Sequence, residues 1–257
     1  MSILFNDIVF GPIKSRRFGV SLGINLLPLV HKVCNFNCIY CECGWTELKQ
    51  SKVVYFSFEK IINSIKNRFE ALSQQNIKID SITLAGNGEP TMHPDFSKIM
   101  ETIIDLRSKY LPDVEITILS NSTLLSNKKV VNALLLADKR VMKLDAGSNE
   151  LLSAINIPLS KRDIRWYIEK LKSFNGNVII QTIFLKGNYN GQFIDNTSPK
   201  EVNLWIKALN EIKPKEVMIY TVDREAPVKE LEKVSTEKLN EICELVNKQG
   251  IKANVYL

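Results

Sequence analysis

Apolar runs about as long as a β-strand alternate along this chain with amphipathic stretches of helix length, and that alternation limits the fold more than any other feature. The pattern predicts strands over residues 22–27, 81–85, 115–119, 141–144, 178–184 and 216–220, with a short last strand over 251–256. Between them it predicts helices over 57–75, 95–110, 127–137, 161–174, 199–212 and 235–249. Ser57-Phe58-Glu59 and Ser235-Thr236-Glu237 have the form of helix starts, a capping hydroxyl followed by an acid in the first turn. Asn175-Gly176 and Gly250 have the form of helix stops, since both residue types tolerate the left-handed backbone that ends a helix. Strand–helix–strand order builds parallel pairs through right-handed crossovers. Six such units fit an α/β fold of the partial (β/α)6 barrel type with parallel strands. A closed eight-unit barrel takes ~250 residues by itself. The expected organisation is one domain over 1–257, with an N-terminal extension over 1–20 and a barrel core over about 21–250.

In such folds chemistry sits on loops after the C-terminal ends of strands. Here a polar or glycine-rich cluster follows each of the first six predicted strands. The first is a cysteine loop, the second Gly86-Asn87-Gly88-Glu89-Pro90-Thr91, the third Ser120-Asn121-Ser122, the fourth Asp145-Ala146-Gly147. Gly187 comes shortly after the fifth strand and Thr221-Val222-Asp223-Arg224 after the sixth. Core packing alone does not ask for this.

The cysteine loop is the sharpest of them. Cys34, Cys38 and Cys41 form a C-x3-C-x2-C cluster within eight residues. A closed iron–sulfur cluster takes four cysteines, and a structural zinc site takes four Cys or His ligands. Three cysteines on a cubane of four irons leave one iron open to a substrate or cofactor. The competing reading is a buried or zinc-bound trio. Cys43 lies two residues on and is the candidate fourth ligand that would close the cluster, although so short an offset makes that sterically awkward. Cys243 falls in the apolar pattern of the last helix and reads as a buried structural thiol.

Five cysteines, an odd number with four crowded over residues 34–43, do not read as a disulfide framework, which points to a reducing, cytoplasmic setting. Net charge is +6, with 45% hydrophobic and 24% charged residues, as in a globular chain. The charge permits an anionic partner such as RNA, but no concentrated basic stripe with interleaved aromatics calls for one. No run approaches the ~20 apolar residues of a membrane span, so no membrane partner is expected. The N-terminus, MSILFNDIVFGP, has neither a basic start nor a small-residue cleavage site, so no signal peptide is expected. Ser15-Arg16-Arg17-Phe18 has a loose twin-arginine form, but it leads straight into the cysteine loop through Asn25 and Pro28.

With these residues in view, the chain resembles the radical S-adenosylmethionine (radical SAM) superfamily. The C-x3-C-x-aromatic-C signature is met by CNFNCIYC, with Tyr40 at the aromatic position. More narrowly it resembles a group of stand-alone iron–sulfur oxidoreductases related to the wybutosine tRNA-modifying enzymes. The resemblance runs through FGPIKSRRFGVSLGINLLP, LAGNGEPTMHPDF, LSNSTLL, KLDAG, QTIFLKG and TVDR, roughly residues 10 to 224. It implies a [4Fe-4S] cluster on Cys34, Cys38 and Cys41 and S-adenosylmethionine as the second cofactor. It also implies reductive cleavage of the sulfonium to a 5′-deoxyadenosyl radical, which abstracts hydrogen from a substrate. An external one-electron reductant of flavodoxin or ferredoxin type is implied as partner. Gly86, Asn87, Gly88, Glu89 and Pro90 resemble the loop that binds the cofactor's ammonium, since glycine lets backbone approach closely.

Ser120 and Asn121 resemble positions that bind ribose or carboxylate, against the alternative of an N-cap or Asx-turn. Lys143 and Asp145 end a strand and either touch cofactor or substrate or pair with other charges. Gln181 and Thr182 are candidates for the barrel interior. Arg16, Arg17 and Arg224 are candidate anion holders or solvated residues. His31 reads as a loop histidine and His93, before Pro94, as part of a turn. The second cysteine set and flavodoxin-like domain of the wybutosine enzymes are missing, so their tRNA substrate does not carry over. An RNA base, a protein site and a small molecule all stay open as substrates. Two rivals remain: a non-catalytic iron–sulfur or zinc module with Cys43 as fourth ligand, and an RNA-binding α/β protein carrying zinc.

Overall fold

The computed structural model describes residues 3–47, 53–160 and 162–257. Their contacts separate two compact units. The first unit comprises Leu4–Cys34 and Thr46–Arg140, and the second comprises Asn35–Trp45 and Val141–Leu257, together with Ile3.

In the first unit, β1 (Val9–Ser15) runs antiparallel to β2 (Gly19–Ile24), which pairs in parallel with β3 (Ser81–Leu84), and β3 with β4 (Glu115–Ser120). Leu22, Ile82 and Ile116 share one register line, and Ile24, Leu84 and Ile118 another. All six are completely buried. Successive strand residues point to opposite faces. The other face therefore carries Ser21, Ser81, Thr83 and Thr117, whose hydroxyls form a buried chain: Ser21 to Thr83 at 2.7 Å, Thr83 to Ser81 at 3.2 Å, Ser81 to Thr117 at 3.0 Å. One face is thus a hydrocarbon seat for helices, and the other is a polar lining of small side chains.

Helix α1 (Phe58–Gln74) buries Ile61, Ile65, Phe69 and Leu72, a stripe spaced for a 3.6-residue period. Each contributes ~1.5–3 kcal/mol through burial. Its N-cap is Ser57, whose hydroxyl accepts from the Lys60 N–H. A single 3-10 turn covers Pro90–Met92, α2 (Phe96–Tyr110) buries Phe96, Ile99, Met100 and Ile103, and α3 (Lys128–Leu135) closes the unit.

In the second unit, β5 (Lys139–Lys143) continues through Val141–Lys143 in parallel with β6 (Ile179–Tyr189). β6 pairs in parallel with β8 (Glu216–Thr221), and β8 with β10 (Ala253–Tyr256). Helices α4 (Asn149–Asn156), α5 (Ile164–Lys172), α6 (Pro199–Ile212) and α7 (Thr236–Asn247) alternate with these strands. The far half of β6 forms a ribbon with β7 (Gln192–Asp195) and β9 (Leu231–Lys233), both antiparallel to it.

The fold is α/β with mostly parallel strands, as the alternation predicts. All six expected helices form; the predicted start of one, Lys161, lies outside the described residues. Four elements differ from the sequence reading. β1 holds Gly11-Pro12, and its register shifts between Phe10 and Ile13. Proline cannot donate to a ladder, so this segment does not read as a strand, and it forms one only at a bulge. α4, β7 and β9 are each shorter than a periodicity window.

Candidate metal centre

In the first unit the loop after β3 is stitched to the residue that precedes Cys34. The Val33 N–H donates to the Asn87 carbonyl at 2.8 Å, and the Glu89 N–H donates to the Val33 carbonyl at 3.0 Å. Gly88 makes this approach possible. Its φ is +139°, and a Cβ there would stand 1.8 Å from the Val33 carbonyl oxygen. Cys34 is therefore held by the glycine loop through its neighbour.

Glu89 closes that loop from the inside. Its carboxylate is buried and accepts the Thr91 hydroxyl at 2.5 Å, the Thr91 N–H at 3.2 Å, the Ser120 hydroxyl at 2.9 Å and the Asn121 N–H at 2.6 Å. Burial raises its pKa above the usual carboxylate value, and these donors work against that shift. Asn87 is fully buried, with its side chain spent inside the protein: Oδ1 accepts the Phe5 N–H, and Nδ2 donates to the carbonyls of Phe5 and Pro28. Asn25 accepts the Asn87 N–H and leaves no room for a side chain at Gly86. Asn121 turns its Nδ2 toward the Cys34 sulfur at 3.6 Å, while its Oδ1 takes the Thr123 N–H and hydroxyl at 3.0 and 2.6 Å. Ser122, the last residue of that strand-end cluster, holds φ +68° and buries a hydroxyl that has no partner among the described residues. Strain of this kind collects at functional loops.

In the second unit Cys38 and Cys41 lie on a tight turn, with the Cys41 N–H donating to the Cys38 carbonyl at 3.1 Å and the Gly44 N–H to the Cys41 carbonyl at 2.9 Å. Tyr40 donates its hydroxyl to Asp145 Oδ2 at 2.5 Å, and Lys143 donates to both the Tyr40 oxygen and Asp145, the latter at 3.2 Å. Burial and the neighbouring Asp145 carboxylate push the Tyr40 phenol well above its usual range. Burial opposes a charge on Lys143, but the Asp145 carboxylate overrides it and raises the ammonium pKa. Asp145 is fully buried and also accepts Asn156 Nδ2 at 2.7 Å and the Ile183 N–H at 3.2 Å. The structure thus shows Lys143 and Asp145 paired with each other.

Two asparagines here were not legible in the sequence. Asn156, at the end of α4, reaches the Cys38 sulfur with Nδ2 at 3.4 Å. Asn196 binds the carbonyls of Asp145 and Ile183 and the N–H of Leu185, fixing the middle of β6 against the loop after β5. Glu201 holds the N–H groups of Gly147 and Ser148, and Trp205 Nε1 donates to the Leu144 carbonyl. No sequence motif marks these four positions.

The remaining candidates separate cleanly. His93 accepts the Asp95 N–H on Nδ1, so Nε2 carries the proton and donates to the Phe56 carbonyl. It is a turn residue, and burial lowers its pKa. Arg224 pairs with Glu42 at the surface at 2.9 Å. Thr182 donates to the Leu144 carbonyl, and Gln181 is buried in β6. Cys243 is buried in α7.

All five cysteines are thiols rather than disulfides. Among the described residues no three His, Cys, Asp or Glu side chains stand gathered as a metal-binding group. The donor chemistry nonetheless fits an iron–sulfur cluster: three soft sulfur ligands at signature spacing, two of them facing amide N–H donors.

The sequence profile of the radical SAM superfamily matches residues 29–197, which include every cysteine of the motif and the loops after β3, β4 and β5. The chain belongs to the radical SAM superfamily. A protein of Brachyspira hyodysenteriae named GTPase Obg is 35% identical over 236 residues, covering 90% of this chain and 32% of that protein. The chain thus spans about a third of that relative, and it contains no G-x-x-x-x-G-K-[S/T] phosphate loop of its own. A UPF0026 protein of Helicobacter pylori is 34% identical over 226 residues, covering 86% of this chain and 68% of the relative. Among solved structures, a radical SAM methyltransferase from Sphaerobacter thermophilus superposes with a TM-score of 0.66 at 14% identity, over 91% of this chain and 65% of its own. That likeness shows the α/β fold, and the expected partial barrel is consistent with it. Among the described residues no helix is long and apolar enough to cross a membrane.

Proposed function

We propose that this radical SAM protein is an enzyme in which Cys34, Cys38 and Cys41 hold a [4Fe-4S] cluster that works with S-adenosylmethionine on a substrate not yet identified. When bound, the two groups together supply a one-electron reductive cleavage of the sulfonium and hydrogen abstraction from substrate. The observation that carries the reading is the backbone stitch between the glycine loop and Val33, directly before Cys34.

The protein's own part is to bind, orient and exclude water. Gly86 and Gly88 let the loop pack against Asn25 and Val33, and the loop so fixed, with Pro90 after it, is the seat assigned to the cofactor's ammonium. Glu89 and Ser120 lock its shape, and Asn87 anchors it from below. Tyr40 and Asp145 fix the aromatic position of the cysteine motif. Two finer assignments, an oxidoreductase-like reaction and a flavodoxin- or ferredoxin-type reductant, rest on the resemblance to iron–sulfur oxidoreductases, and a cytoplasmic setting rests on the cysteines crowded at the motif. Cys43 sits beside the motif as a bystander on this reading.

The test is anaerobic reconstitution of the full chain with iron and sulfide, followed by dithionite reduction with S-adenosylmethionine. Formation of 5′-deoxyadenosine supports the reading. A reconstituted protein that neither binds nor cleaves S-adenosylmethionine refutes it. Cys43→Ala should retain full iron content; loss of iron would favour a closed, non-catalytic cluster.

A further inference from the structure

We propose that Asn121 and Asn156 are positioning residues that hydrogen-bond the sulfurs of Cys34 and Cys38 and thereby set the reduction potential of the cluster. This rests on the cluster reading above. Each unit contributes one such contact, 3.6 Å in the first and 3.4 Å in the second. An Asn–sulfur contact by itself means little. Asn247 makes one to Cys243 at 3.5 Å, but these residues are four apart on α7, where neighbouring turns bring any two side chains together. Asn121 and Asn156 instead reach their sulfurs across 87 and 118 residues of sequence.

In both cases a second contact decides which end of the amide faces the sulfur. Asn121 Oδ1 is occupied by the N–H and hydroxyl of Thr123, which leaves Nδ2 for Cys34. Asn156 Nδ2 lies 2.7 Å from the Asp145 carboxylate; a flipped amide would set oxygen against oxygen there. Asn156 is fully buried, and its Oδ1 has no hydrogen-bond partner among the described residues. A buried acceptor left unsatisfied is costly to a fold. A side chain chosen for packing or stability alone would not leave its oxygen so; one retained for its N–H groups would.

Hydrogen bonds to cluster sulfurs stabilise the added negative charge of the reduced state and raise the potential. Loss of either donor should lower it. The experiment uses the full chain reconstituted anaerobically, with iron and sulfide content measured first and midpoint potential then read by equilibrium titration under electron paramagnetic resonance. Asn121→Val and Asn156→Leu should each keep the cluster and lower the ratio of reduced to oxidised cluster at fixed potential roughly tenfold, which is ~59 mV for a one-electron couple. The shifts should add in the double variant. Asn156→Ser, too short to reach the sulfur, should reproduce the Asn156→Leu shift. If neither Asn156 variant holds iron, the Asn121→Val potential decides. Unchanged potentials in cluster-loaded variants overturn the proposal while leaving the radical SAM reading intact. A wild-type chain that takes up no [4Fe-4S] cluster overturns both, and is recognised at the iron and sulfide step.

Discussion

Gly88→Ala is the sharpest perturbation of the cysteine-holding scaffold. Position 88 holds φ +139°, a conformation that L side chains rarely adopt, and a Cβ would meet the Val33 carbonyl at 1.8 Å. The obstacle is backbone, so no rotamer change relieves it. Holding such a conformation costs about 1–3 kcal/mol. Relieving the clash breaks the Val33-to-Asn87 and Glu89-to-Val33 hydrogen bonds, at about 0.5–1.5 kcal/mol each. The sum is ~2–6 kcal/mol, centred near 4. For a protein of this size ~4 kcal/mol lowers Tm by about 8–16 °C. Thermal and urea unfolding of the metal-free chain read the stability loss directly. Iron uptake on reconstitution should fall in parallel, because Val33 directly precedes Cys34. A Gly88→Ala protein with wild-type Tm and full iron would refute the claim that the glycine loop holds the cysteine segment.

Glu89→Gln sets an NH2 against a backbone N–H whichever way the amide turns, since Thr91 N–H and Asn121 N–H each face a different carboxylate oxygen, and urea unfolding should show a loss on the order of 2–3 kcal/mol. Asn196→Ala strands the Leu185 N–H and the carbonyls of Asp145 and Ile183 and should cost ~3 kcal/mol in the same assay, with little change in overall secondary structure by circular dichroism. His93 has a folded pKa below its ordinary value of 6.5 because of burial. The unfolded chain therefore takes up the proton first, and stability falls as pH drops from about 6.5 through the folded value. His93→Asn should flatten the fall in Tm between pH 7 and 5; an unchanged slope would remove His93 as its source.

Much of the fold was legible because long periodic segments announce themselves. The four buried positions of α1 and the register-matched isoleucines and leucines of β2, β3 and β4 follow from periodicity alone. The loops of the candidate site were legible for a different reason: glycine, cysteine and asparagine crowd at strand ends, where a core has no use for them. What stayed hidden has no local signature. Asn156 and Asn196 are single polar residues in ordinary context, and their partners lie 118 and 51 residues away, at Cys38 and Asp145. The role of Asn87 was misleading in sequence. It sits inside the glycine loop, yet its amide faces inward to Phe5 and Pro28. Glu201 reads as a helix-surface acid in the first turn of α6, and only its burial against Gly147 and Ser148 shows otherwise.

β6 divides its eleven residues between two tasks. Ile179–Phe184 pair with β8 as part of the parallel core, whereas Leu185–Tyr189 pair only with the antiparallel β7 and β9. The hairpin between β6 and β7 turns at Asn190-Gly191, both with positive φ, and nothing lies within 4 Å of a Cβ built at Gly191. Chain length can therefore change at this tip without moving the register of the core strands. That makes the ribbon a natural place for divergence: insertions there would alter what the protein presents to its surroundings while the scaffold beneath keeps its form, and an affinity peptide grafted at Gly191 should leave the fold undisturbed.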